Sequence, residues 1–193
     1  MVKRIGVLAL QGDFAEHKTA LERVGAQPVE VRLPRQLDDL HGLIIPGGES
    51  TTLRKLADMY GLIQPLREFA QHHPTWGTCA GAIMLAREIV GQEAHLGVMD
   101  IKVQRNAFGR QINSFVTTLS IGGDDYQAVF IRAPLIVSVG AGVDVLAHLD
   151  DGRIVAAQQG HLLATSFHPE LTDDISFHLR FLNMINTYDY AQS

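Results

Sequence analysis

Thr75-Trp76-Gly77-Thr78-Cys79-Ala80-Gly81-Ala82-Ile83-Met84-Leu85-Ala86 is the stretch that decides the fold. A short run reaches a cysteine set between two glycines and passes at once into an apolar segment, which reads as strand, tight turn and helix. Upstream, Ile5-Gly6-Val7-Leu8-Ala9-Leu10 is almost wholly apolar and breaks at Gln11-Gly12, the pattern of a strand buried on both faces. Phe14, Ala20, Leu21 and Val24 then recur at helical spacing and predict a helix from Asp13 to Val24, with Glu16 near its positive end and Gly25 as its stop. Pro28 to Val31 and His41 to Ile45 are further strands, the latter closed by Pro46-Gly47-Gly48. Helices follow around Leu53, Leu56, Ala57 and Tyr60, and across Pro65 to Gln71.

Downstream of about residue 95 the pattern becomes strand-like: Met99 to Gln104, Ser114 to Ile121, Ala128 to Arg132, Ile136 to Val139, Val143 to Leu149, Ile154 to Gln158 and Leu162 to Phe167. A last helix is expected from Ile175 to Tyr188. The alternation predicts an α/β fold of three layers, a mostly parallel central sheet with helices on both faces plus an antiparallel elaboration in the second half. No linker, repeat or low-complexity segment interrupts it, so residues 1–193 are expected to form a single domain.

Composition narrows the function classes. Sixteen Lys and Arg against 21 Asp and Glu leave a formal charge of −5, with no basic run to attract a polyanion, so nucleic acid is not an expected ligand. The single cysteine rules out an intramolecular disulfide and a multi-cysteine zinc site, and suits a reducing cytoplasm. No apolar run approaches the roughly 18 residues of a membrane span, and the apolar start is interrupted too early for a signal peptide.

Three constellations could carry chemistry. Gly77-Thr78-Cys79-Ala80-Gly81 is a G-x-C-x-G, the thiol counterpart of a nucleophile elbow. So tight a turn needs neighbours without side chains, and the following helix N-terminus favours thiolate over thiol. A lone cysteine is by default a small buried hydrophobe; the flanking glycines argue for more. In Phe167-His168-Pro169-Glu170 the proline holds His168 extended, and residues i and i+2 of an extended chain share a face. Such a histidine can activate a thiol while Glu170 orients the ring. Pro46-Gly47-Gly48-Glu49-Ser50-Thr51-Thr52 sits at the carboxyl end of a strand, where ligands bind in open α/β sheets. Its glycines let backbone N–H groups face an oxyanion, and Ser50 or Thr51 is expected to cap the next helix. Patterns for a Walker loop, a dinucleotide fingerprint or a zincin are absent.

Taken together these motifs resemble the class I glutamine amidotransferase family, whose fold is flavodoxin-like and whose site is a Cys-His-Glu triad. Leu10-Gln11-Gly12, Pro46 to Thr51, Gly77 to Gly81, Arg105-Asn106-Ala107-Phe108-Gly109-Arg110-Gln111, Phe130-Ile131-Arg132-Ala133-Pro134 and Phe167 to Thr172 are similar, more narrowly, to the glutaminase subunits of pyridoxal 5′-phosphate synthase. The resemblance runs from about residue 5 to about residue 185. It implies that Cys79, His168 and Glu170 are catalytic. It also implies that Gly48, Glu49, Ser50, Arg105, Ile131 and Arg132 bind glutamine, and that backbone N–H groups of Gly48 and Ala80 form the oxyanion hole.

The resemblance further implies hydrolysis of L-glutamine through a Cys79 thioester, with neither metal nor cofactor. Free ammonia becomes ammonium in water, so a partner is implied: the synthase subunit of pyridoxal 5′-phosphate synthase, which uses the delivered ammonia in vitamin B6 synthesis. Gln11 matches a position linked to the side of the oxyanion hole that faces the partner. The same triad would serve a glutaminase of another synthase, such as the one making imidazole glycerol phosphate. A catalytically silent docking module and a cysteine protease or redox sensor are the alternatives from other classes.

Overall fold

The computed structural model describes residues 2–106 and 114–192. Ala107 to Gln111, part of one of the family-like stretches, lie outside the described residues. Strand β1 (Arg4–Leu8) leads through a turn to helix α1 (Phe14–Arg23), β2 (Gln27–Val31) and β3 (Gly42–Ile45). Helices α2 (Ser50–Met59) and α3 (Ile63–His72) precede β4 (Thr75–Thr78) and the short α4 (Ala80–Leu85). Strands β5 (Ala86–Ile89), β6 (Met99–Gln104), β7 (Ser114–Ile121), β8 (Asp124–Ile131), β9 (Leu135–Val139), β10 (Asp144–His148), β11 (Ile154–Gln159) and β12 (Leu162–Thr165) follow. Helix α5 (Ser176–Gln192) comes last.

The main sheet runs β2-β1-β3-β4-β12-β11-β9-β6-β5, with β10 added beside β11. From β2 to β12 all neighbours are parallel, and β11 pairs antiparallel to β12, β9 and β10. The expected α/β architecture is therefore present, including the antiparallel half. Alternation along β3 shows the layers: Leu43 and Ile45 enter the core shared with α2, α3 and α4, while Ile44 enters the one shared with α1 and α5. Both faces being covered explains why the strands read as continuous apolar runs. Strands β7 and β8 form a separate two-stranded sheet, joined by Gly122-Gly123, both at positive φ as a two-residue hairpin turn demands.

Two details depart from the sequence expectations. Ala86 leaves the helix and begins β5, because pairing with Met99 of β6 outweighs the local helical pattern and leaves α4 only 6 residues long. The cap of α2 is neither Ser50 nor Thr51 but Glu49, whose carboxylate accepts from the backbone N–H groups of Thr51 and Thr52. Ser50 is already the first helical residue and is buried. Among the described residues no helix is long and apolar enough to cross a membrane.

Candidate active site

Four mutually parallel neighbours inside the sheet deliver the site at their carboxyl ends: β1, β3, β4 and β12. From β1 the chain runs to β2 on one side and then to β3 on the other, so a crevice opens at the carboxyl ends of β1 and β3. Gln11 and Asp13 follow β1, Gly47 to Glu49 follow β3, Cys79 follows β4, and His168 and Glu170 follow β12.

Cys79 has φ 50° and ψ −105°, a conformation that an L-residue adopts only when its surroundings enforce it. The enforcement is visible. The Cys79 N–H donates to Thr165 O at 2.8 Å, and a side chain on Gly81 would overlap the Ile45 carbonyl while one on Gly77 would overlap Gly81. The glycines of the G-x-C-x-G motif thus allow strand, elbow and helix to pack against β3. Sγ sits 3.8 Å from Ile131 O, at the end of β8. Ala80, next to it, has the first N–H of α4, which no carbonyl within the helix can take up.

His168 and Glu170 meet, although not along an extended strand. Pro169, Glu170 and Leu171 form a 3-10 turn, and its curl brings Glu170 Oε1 to 2.7 Å from His168 Nδ1. Both side chains are almost fully buried. His168 Nε2 is buried with no hydrogen-bond partner among the described residues, which leaves it for proton exchange at the reacting centre. Gly47 lies between the two reactive groups: a Cβ there would stand 2.5 Å from His168 Cε1 and 3.3 Å from Cys79 Cβ.

Electrostatics favours a charged ring. Burial works against the imidazolium, but the hydrogen bonds to Asp13 and Glu170 and the nearby Cys79 outweigh it and push the His168 pKa up to about 12. Burial raises the Glu170 pKa, with the His168 hydrogen bond and charge opposing it. Asp13 is held below the usual carboxylate range by its hydrogen bond to His168, against partial burial. Its Oδ2 lies 3.3 Å from His168 Nδ1. The donor atoms of Asp13, His168 and Glu170 lie within 4.8 Å of one another, the one group among the described residues with the make-up to hold a metal ion. A proton on His168 Nδ1 faces both carboxylates, Glu170 more closely than Asp13.

The expected substrate residues surround the elbow in part. Gln11 Oε1 accepts from Glu49 N at 3.1 Å and Gln11 Nε2 reaches Gly47 O at 3.5 Å, so this side-chain amide clamps the glycine loop. All described peptides are trans, so the Gly48 N–H points opposite to the clamped Gly47 carbonyl. Gly48 has φ 130°, and a side chain on it would run into Gln11. Arg105 Nη2 pairs with Glu49 Oε1 at 3.1 Å. Burial raises the Glu49 pKa, but the bonds from Thr51 and Thr52 prevail and push it down to about 2. Ile131 faces the thiol through its carbonyl, and Arg132, exposed, turns the chain there with φ 44°. The side chain of Ser50 is tucked into the start of α2.

Sequence reasoning missed Asp13, His17 and His178. Asp13 occupies the N-cap of α1 without making a cap bond, and its carboxylate serves His168 instead. His17 lies one turn further along α1, with Nε2 3.3 Å from Glu170 Oε2 and Nδ1 3.0 Å from His178 Nε2. A polar residue at the buried spacing of α1 was the available signal.

Comparison with known proteins identifies the family and the fold. Residues 7–187 match the SNO glutamine amidotransferase family. The chain is 60% identical to the pyridoxal 5′-phosphate synthase subunit PdxT of Niallia circulans, across 94% of this chain and 97% of the relative. It is 57% identical to the PdxT subunit of Geobacillus kaustophilus strain HTA426, across 98% of each. A solved glutamine amidotransferase superposes with a TM-score of 0.89 at 50% identity, covering 94% of this chain and 98% of that one. A PurLQS structure from Thermotoga maritima shares the fold alone, at 19% identity and a TM-score of 0.71. Since the family match and relatives of this identity extend over nearly the whole length, the chain belongs to the SNO glutamine amidotransferase family.

Proposed function

We propose that this chain, acting as one domain in the cytoplasm, hydrolyses L-glutamine to L-glutamate and ammonia and hands the ammonia to a pyridoxal 5′-phosphate synthase subunit. The observation that carries this is the convergence of a strained cysteine elbow with a buried His-Glu pair across Gly47. The Cys79 thiolate attacks the side-chain amide carbon. The carbonyl oxygen gathers the negative charge, and the N–H groups of Gly48 and Ala80 receive it. His168 then gives its Nε2 proton to the departing nitrogen, which leaves as ammonia, and the acyl group remains as a Cys79 thioester. Water, deprotonated by the now neutral His168, attacks the thioester and releases glutamate, which restores the thiolate-imidazolium pair. Glu170 holds the ring in place throughout. Arg105 and Arg132 suit the α-carboxylate of the substrate, and Glu49 suits its ammonium.

Ammonia must reach its acceptor before water protonates it, so turnover is useful only when docked. The PdxT names of the relatives supply the acceptor. The experiment is glutamate release from glutamine by the chain alone and with the synthase subunit, with Cys79→Ala beside it. Stimulated release that vanishes in Cys79→Ala supports the proposal. Equal release by the variant removes Cys79 as nucleophile, and stimulation by only an unrelated synthase reassigns the acceptor.

A further inference from the structure

The triad backs onto a second buried polar chain. His17, Thr78, Glu170 and His178 are all buried, three of them completely. His17 Nε2 faces Thr78 Oγ1 at 3.2 Å and Glu170 Oε2 at 3.3 Å, and His17 Nδ1 lies 3.0 Å from His178 Nε2. The Trp76 ring meets both imidazoles edge to face, at 5.6 and 5.1 Å.

One proton lies between His17 Nδ1 and His178 Nε2, and its side decides what Glu170 sees. On His17 Nδ1 it would leave His17 Nε2 a bare lone pair against a carboxylate. His178 would then carry its own proton on Nδ1, a buried atom without a partner among the described residues. On His178 Nε2 it leaves His17 with an Nε2–H that meets Thr78 Oγ1 at 3.2 Å and stands 3.3 Å from Glu170 Oε2, a buried oxygen with no hydrogen-bond partner among the described residues. The unpartnered His178 Nδ1 is then only a lone pair, and the buried N–H donors all have acceptors. Burial keeps both rings neutral: it lowers the His178 pKa to about 4, and that of His17 well below its usual value.

We infer that His17, fixed by His178 as its Nε2–H tautomer, is a positioning residue: it braces the outer oxygen of Glu170 while the inner oxygen holds His168. The inference rests on the triad proposed above. At 3.3 Å and shared with Thr78, the brace is looser than the 2.7 Å bond from Glu170 to His168. It strengthens as charge gathers on the carboxylate. The ionisable groups that act on Glu170 are His168 beyond β12, His17 on α1, Asp13 before α1 and Tyr126 on β8. Of these only His17 offers a neutral N–H. Without it, Glu170 takes up a proton at higher pH and stops supporting the imidazolium.

Two measurements test this. Long-range 1H–15N correlation on the histidine-labelled full chain reads the tautomer directly: an Nε2–H signature for His17 is expected, and an Nδ1–H signature overturns the inference. In the presence of the synthase subunit, His17→Phe is expected to lower kcat about tenfold or more with KM little changed, and to move the acid limb of kcat/KM upward. His17→Gln, which retains an N–H donor, is expected to recover part of both. If His17→Phe does not fold, the tautomer and the Gln variant decide. Wild-type kcat and pH profile in a folded His17→Phe overturn the brace while loss of activity in Cys79→Ala keeps the triad. Activity in Cys79→Ala overturns the triad itself.

Discussion

Asp13 stands at the N-cap of α1, yet its Oδ2 lies 3.3 Å from His168 Nδ1 and its side chain makes no cap bond. His168 therefore has two carboxylates at one nitrogen, Glu170 close and buried and Asp13 further off and partly exposed. Asp13→Asn removes one of the hydrogen bonds that raise the His168 pKa toward about 12. In the thiolate-imidazolium pair proposed above, loss of the ring proton sets the alkaline limb. That limb of kcat/KM is expected to move to lower pH in Asp13→Asn while the acid limb stays; identical limbs in the two proteins would refute a role for Asp13.

Gly47 lies against both reactive side chains. A methyl group there would stand 2.5 Å from His168 Cε1, so the ring must shift. Displacements near 1 Å can cost about 10²-fold in rate, and Gly47→Ala is expected to lose kcat on that scale while thermal unfolding changes little. Steady-state kinetics beside a melting curve checks it; unchanged kcat would mean that the ring moves freely.

Glu49 and Arg105 are tied to each other in this structure at 3.1 Å, before any substrate. If Arg105 takes the substrate carboxylate, Arg105→Ala removes a charge-assisted bond and should raise KM about 10- to 100-fold with kcat nearly kept. Glu49→Ala also removes the cap of α2, so it should cost about 1 kcal/mol of stability besides any change in KM. Equal KM values for Arg105→Ala and wild type would place that arginine outside the substrate site.

The layers and the elbow were legible because buried parallel strands write themselves as apolar runs, and because Gly77 and Gly81 are needed where Cys79 turns at φ 50°. His168 and Glu170 were legible as a pair since they are neighbours in sequence, although a 3-10 turn joins them. His17 and His178 were not, being 161 residues apart: periodicity tells which face of α1 is buried, not what meets it there. Asp13 misleads for a related reason. Its position suggests a local cap, and the long-range contact with His168 wins. Strand β5 was hidden likewise, because pairing with β6 decides where α4 stops.

The buried imidazole pair also ties stability to pH. His178 has a folded pKa of about 4 against an unfolded value of 6.5, with burial as the main cause and Arg23 adding to it. Between these values the unfolded chain binds a proton that the folded one does not, so stability falls as pH drops. The contribution is complete above 6.5 and is lost on acidification through about 4; a shift of this size corresponds to about 3 kcal/mol. His178→Phe keeps an aromatic ring beside Trp76 but cannot titrate. Chemical denaturation at pH 7.5, 5.5 and 4 is expected to show wild type losing stability more steeply than the variant across this window. Parallel losses in the two proteins would mean that His178 is not kept neutral by folding.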